Sequence, residues 1–201
     1  MASGLSRAEF VRRGVVGSGA LVVSASGLAA LPAVASADTV PDGDLAYLRL
    51  LIAAELLAFD FQTRALGSGK LRHAVHTLVR QIRSDENAHY KSLAALLTAA
   101  GGTPATSADI DFAYPKGSFL SQASVLRLAG RLERLMVGAY LGAVENVETA
   151  ALRLTIGQIV ANEAQHAGAL AGLRGESVVG KAFPAALAMG AVSDALDAFE
   201  S

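Results

Sequence analysis

Cysteine is absent from the 201 residues of this sequence. Its absence excludes disulfide bonds, thiolate metal sites, iron–sulfur clusters and cysteine-linked lipid anchors. A metal ion bound by this chain would therefore need oxygen and imidazole ligands, which carboxylates and histidines supply. Because the chain has only four histidines, any histidine that recurs in a matching pattern is informative.

The sequence also lacks an excess of charge of either sign. With 17 basic and 18 acidic residues, the formal net charge is -1, so the composition gives no sign of a basic surface that binds nucleic acid. Aromatic residues make up only 5% of the chain, and abundant alanine and leucine favour packed helices over a sheet. After residue 37 the sequence has no uncharged apolar run long enough to span a membrane, so no stable span is expected in the mature protein.

Residues 1–37 predict an export signal peptide. Arg7, Arg12 and Arg13 give a positively charged start, and Val15 to Leu31 form an apolar stretch diluted by glycine and serine. The small residues of 35–37 form a cleavage site after Ala37, so the mature domain is expected to be 38–201. We therefore expect an exported protein, located in the periplasm, the cell envelope or the extracellular medium.

The export route stays open at this point. The segment from Ser6 to Arg12 resembles the twin-arginine export motif, with Phe10 and the following apolar residue in place. Ala8 stands where the second arginine is expected. Twin-arginine export, which carries folded proteins, and the general secretory route are the two alternatives.

Apolar residues at helical spacing predict four long helices and one short one. The glycine- and proline-rich stretch 101–119 breaks this pattern and predicts a crossover, because about 19 extended residues can run the length of a ~40 Å helix. Short connections make each helix pair antiparallel, so the fold class is an all-α four-helix bundle of two antiparallel pairs. The last helix is expected to cover one end of the bundle or to contact a second copy, which would make a homodimer. The predicted helices are 44–66, 70–99, 121–147, 149–173 and a short one after Pro184.

Two Glu-x-x-His motifs interrupt these apolar stripes, at Glu86 and His89 and again at Glu163 and His166. Residues three apart on a helix point to the same side. A single such pair is commonly a surface ion pair or a satisfied core histidine. Here the motif occurs twice, each time about 30 residues after a lone glutamate in an apolar stripe, which favours a shared buried site. The lone glutamates are Glu55 and Glu133.

Four carboxylates and two imidazoles from four helices form the ligand set of di-iron and di-manganese helical bundles. Two divalent cations bring four positive charges, which four carboxylates can neutralise inside a core. Oxygen ligands with some nitrogen favour iron or manganese, and zinc would also bind. The predicted ligands are Glu55, Glu86, His89, Glu133, Glu163 and His166.

On these residues the chain resembles the ferritin-like superfamily, and more narrowly the exported bacterial ferritin-like domain proteins, with a distant similarity to rubrerythrin. The resemblance covers roughly residues 44–173. It includes Tyr140, seven residues after Glu133, which in this family usually lies near the metals. It departs at Gln62, seven residues after Glu55, where many relatives have tyrosine.

The resemblance implies a ferritin-like bundle that binds two iron ions, with manganese or zinc as alternatives, and that reacts with dioxygen or peroxide. Ferroxidase, peroxidase and manganese-catalase-like activities all fit the ligand set, and Tyr140 would hydrogen-bond a carboxylate or quench a radical. An alternative of another class remains open, a structural or desiccation-protective bundle in which the metal only stabilises the helices. Whether the protein is a non-haem di-iron or di-manganese oxidoreductase, or no enzyme, therefore stays open.

Overall fold

The computed structural model describes residues 40–200, and the predicted export signal of residues 1–37 lies outside this range. Within it the chain is all-helical, and its one β feature is an isolated bridge between Phe112 and Glu200. None of the helices in residues 40–200 has the length and apolar character needed to cross a bilayer. The helices are α1 (Asp42–Gly67), α2 (His73–Ala99), α3 (Gln122–Asn146), α4 (Ala150–Leu173) and α5 (Met189–Asp197).

The first four helices form two pairs. Helix α1 packs along α2, and α3 packs along α4, with short connections that force each pair to run antiparallel. Helix α1 also contacts α3, whereas α2 and α4 touch only slightly. The predicted fold class is confirmed, and each predicted bound of the four long helices is within three residues of the observed one.

The predicted crossover connects α2 to α3 without a helix of its own. The crossover begins at Gly101, where the chain leaves α2 with a φ of 80°, a value that only glycine adopts easily. Phe112 is buried in the core, and the ring of Tyr114 lies 5.6 Å from that of Phe61. The Tyr114 hydroxyl donates a hydrogen bond of 2.9 Å to Asp60 on α1. These anchors hold the crossover against α1.

The C-terminal segment lies across α1 and α3 of the same chain. Leu187 donates its backbone N–H to the carbonyl of Gly138, at 2.9 Å. A methyl group at Gly142 would overlap the carbonyl oxygen of Leu187, so glycine there allows the segment to lie directly on α3. Val192 and Leu196 of α5 are buried in the core. The short helix is therefore part of the bundle's own packing.

Asp44 joins the two helix pairs. The residues around Asp44 predict the start of a helix, and α1 does begin there, two residues before Asp44, at Asp42. The Asp44 side chain, however, is buried and accepts hydrogen bonds from the backbone N–H groups of Glu148 and Thr149, each at 2.9 Å. It thereby satisfies N–H groups at the start of α4 and places a negative charge at the positive end of that helix.

We expect Asp44→Ala to lower the free energy of unfolding by about 2–3 kcal/mol, because two N–H donors lose a charged acceptor. Urea unfolding followed by circular dichroism measures this loss. Asp42→Ala is the matched control, since Asp42 is exposed in the same helical turn, and its loss should be clearly smaller. Equal losses in the two variants would show that the link between α1 and α4 contributes little.

Candidate metal centre

The middles of the four long helices meet in a cluster of carboxylates and imidazoles. The structure brings together all six side chains that the sequence predicts as ligands. The four glutamates have no exposed surface, His166 is 5% exposed, and the His89 side chain is 12% exposed. The contributors are Glu55 from α1, Glu86 and His89 from α2, Glu133 from α3, and Glu163 and His166 from α4.

Apolar packing turns these polar groups inward. On α2, Ile82 lies one turn before Glu86 and Leu93 one turn after His89, and both apolar side chains are fully buried. Residues at this spacing share one face of a helix. Burying Ile82 and Leu93 against the other helices therefore also carries Glu86 and His89 into the core. The charged groups are held there by the packing of their neighbours.

The ligand atoms surround two neighbouring points. His89 Nδ1 lies 2.9 Å from Glu163 Oε1, 3.4 Å from Glu86 Oε2 and 3.7 Å from Glu55 Oε2. His166 Nδ1 lies 3.5 Å from both Glu86 Oε1 and Glu133 Oε2, and 3.8 Å from Glu163 Oε2. The two imidazole rings are 6.2 Å apart.

Two groups of four ligands follow from these distances, and within each group the ligand atoms lie within 4.8 Å of one another. Glu86 and Glu163 belong to both groups, and each directs one oxygen toward each histidine. A carboxylate placed in this way can bridge two cations. Position A consists of Glu55, Glu86, His89 and Glu163, and position B of Glu86, Glu133, Glu163 and His166.

The inward-facing atoms of this cluster lack hydrogen bonds of good geometry. Buried polar atoms are normally paired, and buried charges are usually paired or bound to metal. Unpartnered carboxylate oxygens that face unpartnered imidazole nitrogens therefore fit metal ions, and the cluster can hold them. The atoms are Glu55 Oε2, both oxygens of Glu86, Glu133 Oε2, both oxygens of Glu163, and Nδ1 of His89 and His166.

Protons compensate the cluster when no metal is bound. Burial, together with the nearby charge of Glu86, raises the pKa of Glu55 and of Glu133 well above the usual range of a carboxyl group. Burial thus favours the neutral form of the lone glutamates of α1 and α3, which lowers the negative charge in the core.

The pKa values of the two histidines are raised although burial alone would lower them. Burial disfavours the charged form of His89, but its contacts with Glu163, Glu55 and Glu86 outweigh burial and raise the pKa of His89 to about 12. The pKa of His166 is raised in the same way, against burial, by Glu133, Glu163 and Glu86. Burial alone would raise the pKa of Glu163, yet its contacts with the two histidines lower it to about 2. Charged imidazoles therefore balance the remaining carboxylates until a cation replaces their protons.

A second ring of side chains holds the ligands from outside. The Tyr140 hydroxyl donates a hydrogen bond to Glu55 Oε1, and Gln62 Nε2 donates one of 3.2 Å to Glu133 Oε1. Both Tyr140 and Gln62 are buried. In each lone glutamate one oxygen is thus held by a donor, which leaves the other to face the centre of the cluster.

Sequence reasoning missed one member of this outer ring. Asp85 Oδ2 lies 3.2 Å from Nε2 of His166, on the side of the ring away from the other ligands. Asp85 directly precedes Glu86 on α2, whereas His166 belongs to α4. Its adjacency to the first motif was the only signal in the sequence, and it does not reveal which histidine the side chain reaches.

We expect Glu133→Gln to leave the metal-free protein at least as stable as the wild type. Because the pKa of Glu133 is raised in the folded chain, folding above about pH 4, the ordinary pKa of a glutamate, requires proton uptake at this side chain and loses stability as the pH rises. Glutamine is neutral at every pH and can still accept from Gln62. The same change removes a ligand of position B, so fewer ions should bind per chain. Thermal melting with and without divalent metal, together with elemental analysis, measures both effects.

A saturating ion should stabilise the wild type by about 2.7 kcal/mol at 100 times its dissociation constant, and Glu133→Gln should lose at least part of this gain. Glu145→Gln is the matched control, because Glu145 lies on the same helix with an exposed side chain. A full metal-induced gain in Glu133→Gln would contradict the assignment of Glu133 as a ligand.

The solved structures that share the fold include the following three. A dodecameric thioferritin, the bacterioferritin-related protein from Bacteroides fragilis, is 17% identical with a TM-score of 0.58, over 66% of this chain and 84% of that one. A conserved hypothetical protein from Mycobacterium tuberculosis is 24% identical with a TM-score of 0.59, over 65% and 96%. A hypothetical protein from Methanococcus jannaschii is 15% identical with a TM-score of 0.56, over 86% and 98%.

At these identities the likeness to solved structures shows a common fold. A comparison with curated proteins found no match. The sequence model of the ferritin-like domain matches residues 43–176, which is well over half of the chain. The match includes the six clustered side chains and all of the four bundle helices except the first residue of α1. The chain therefore belongs to the ferritin-like domain family.

Proposed function

We propose that this protein is a non-haem di-metal protein that binds two iron ions, one at position A and one at position B, and reacts with dioxygen or peroxide. The observation that carries the proposal is the set of unpartnered carboxylate oxygens and imidazole nitrogens facing one another in the core. A pair of ferrous ions held there would supply one electron each to an oxidant.

The charges of the ligands support two divalent ions. Four carboxylates offset four positive charges, and the imidazoles bind in their neutral form once their protons have left. In this assignment Glu86 and Glu163 would help to hold both ions, because each directs its two oxygens toward different histidines. Glu55 and His89 would hold only the ion at position A, and Glu133 and His166 only the ion at position B. Manganese and zinc suit the same donor atoms, with iron as our choice.

Tyr140 has a supporting role in this proposal. Burial and the charge of Glu55 raise the pKa of Tyr140 well above its usual value, so the phenol keeps its proton. The hydroxyl can then orient Glu55 through their hydrogen bond. As an oxidisable side chain in contact with a ligand, Tyr140 would also quench a radical formed at the centre.

A second candidate function is a bundle that the metal only stabilises. The observation that favours it is the slight packing between α2 and α4, the two helices that carry the Glu-x-x-His motifs. Ions shared by Glu86 and Glu163 would join these helices where side-chain packing does not. In this case metal would raise the melting temperature without any oxidation chemistry.

Anaerobic loading with ferrous iron followed by rapid mixing with dioxygen or peroxide separates the two candidates. We expect about two iron ions per chain and a change in absorbance, as iron is oxidised, that is much faster than for free iron in the same buffer. Glu145→Gln should behave as the wild type, and Glu133→Gln should be slower. Bound iron without faster oxidation supports the stabilising role, and fewer than one ion per chain would rule out both.

We also propose that the protein is exported and acts outside the cytoplasm, on the basis of the positively charged start, the apolar stretch and the small residues at 35–37. Expression of the full chain in a bacterial host should give a mature product that begins at Asp38. N-terminal sequencing of the exported material measures this. A product that keeps residues 1–37 and stays in the cytoplasm would contradict the proposal.

A further inference from the structure

We propose that positions A and B are unequal, and that position B, which contains Glu133 and His166, binds the first divalent ion because Asp85 supports its histidine. The inference rests on the proposed function, since it concerns the order in which the same two ions bind. It follows from the side chains around the ligands, which differ between the two positions although the ligands themselves match.

The first difference lies behind the histidines. His166 Nε2 faces the Asp85 carboxylate at 3.2 Å, so the ring is oriented with Nδ1 toward the cluster. Asp85 is itself held by Gln81, whose amide donates to Oδ1 at 2.9 Å. A carboxylate on the far side of a metal-binding imidazole fixes the ring and makes it a stronger ligand. The residue that precedes the second motif is Asn162, whose side chain carries no charge.

The second difference lies behind the lone glutamates. Glu55 accepts from the hydroxyl of Tyr140, and Glu133 accepts from the amide of Gln62. A phenol makes a stronger hydrogen bond to a carboxylate than an amide does, because charge-assisted O–H donors form the shortest bonds. At 3.2 Å the bond from Gln62 is long for an N–H donor. Once both glutamates have lost their protons to a cation, Glu133 would therefore offer it more negative charge than Glu55 does.

Both differences favour position B. Loss of a partner behind a metal ligand typically costs about 10–100-fold in metal affinity, so a preference of this size is expected between the two positions. A chain with one ion would then hold it at position B. Position A, whose Glu55 contacts Tyr140, would fill second and decide when the pair of ions is complete.

Titration of the full chain with zinc tests this order, because zinc suits the same donor atoms and gives no redox reaction. Histidine-ring NMR spectra that correlate ring protons with ring nitrogens are simple here, since the chain has four histidines. Two of them, His73 and His76, are exposed on α2 and outside the cluster. We expect the His166 signals to change with the first equivalent of zinc and the His89 signals with the second.

Asp85→Asn should weaken the first binding step about tenfold or more, so that both rings respond together. Glu145→Gln is the control, because it removes a carboxylate at an exposed position of α3 outside the cluster and should leave the order of zinc binding intact. Circular dichroism checks that both variants are folded, which is expected because Asp85 is only partly buried and Glu145 is exposed.

Three results would overturn the inference: His89 responding first, both rings responding together in the wild type, or an unchanged order in Asp85→Asn. In each case zinc still binds, and the proposed di-metal site stands. If neither ring responds and elemental analysis finds no bound zinc, the proposed function fails and this inference fails with it.

Discussion

The burial of four carboxylates in one core is the constraint on which the rest of this structure depends. A buried carboxylate without compensation is costly, and these four have no exposed surface. The chain lowers this cost with two imidazoles, with raised pKa values that favour the neutral forms of Glu55 and Glu133, and with outer donors such as Gln62 and Tyr140. Each of these is a substitute for positive charge, and a divalent cation can replace most of them at once.

The same constraint explains why the site lies between the helix pairs. Each helix pair offers two glutamates and one histidine. Position A therefore needs a fourth side chain from the second pair, and position B needs one from the first pair. Outside the cluster, Asp44 links the two pairs by accepting from the start of α4, and the crossover that connects the pairs is anchored on α1. Packing thus places the clustered side chains, and their contacts, such as His89 with Glu163 and Asp85 with His166, in turn join α2 to α4, where packing is slight.

The sequence predicted what depends on local periodicity. Helical spacing of apolar residues and glycines such as Gly101 located the long helices, and the repeated motif located the six clustered side chains. It could not predict contacts that depend on how helices are rotated against each other. Asp44 looked like a helix cap, yet its acceptors serve residues 104 and 105 positions later. Likewise the contacts of Gln62 and Asp85 cross between the two pairs, so no local pattern reveals them.

The even division of the cluster between the helix pairs has a consequence for any chain cut in the crossover. The turn at residues 106–109 is exposed, and a break there would leave one fragment with Glu55, Glu86 and His89, and the other with Glu133, Glu163 and His166. Position A takes three ligands from the first fragment and one from the second, and position B the reverse. Reassembly of such a two-piece protein would then depend on the concentration of free divalent cation, because only the joined fragments can fill either coordination shell.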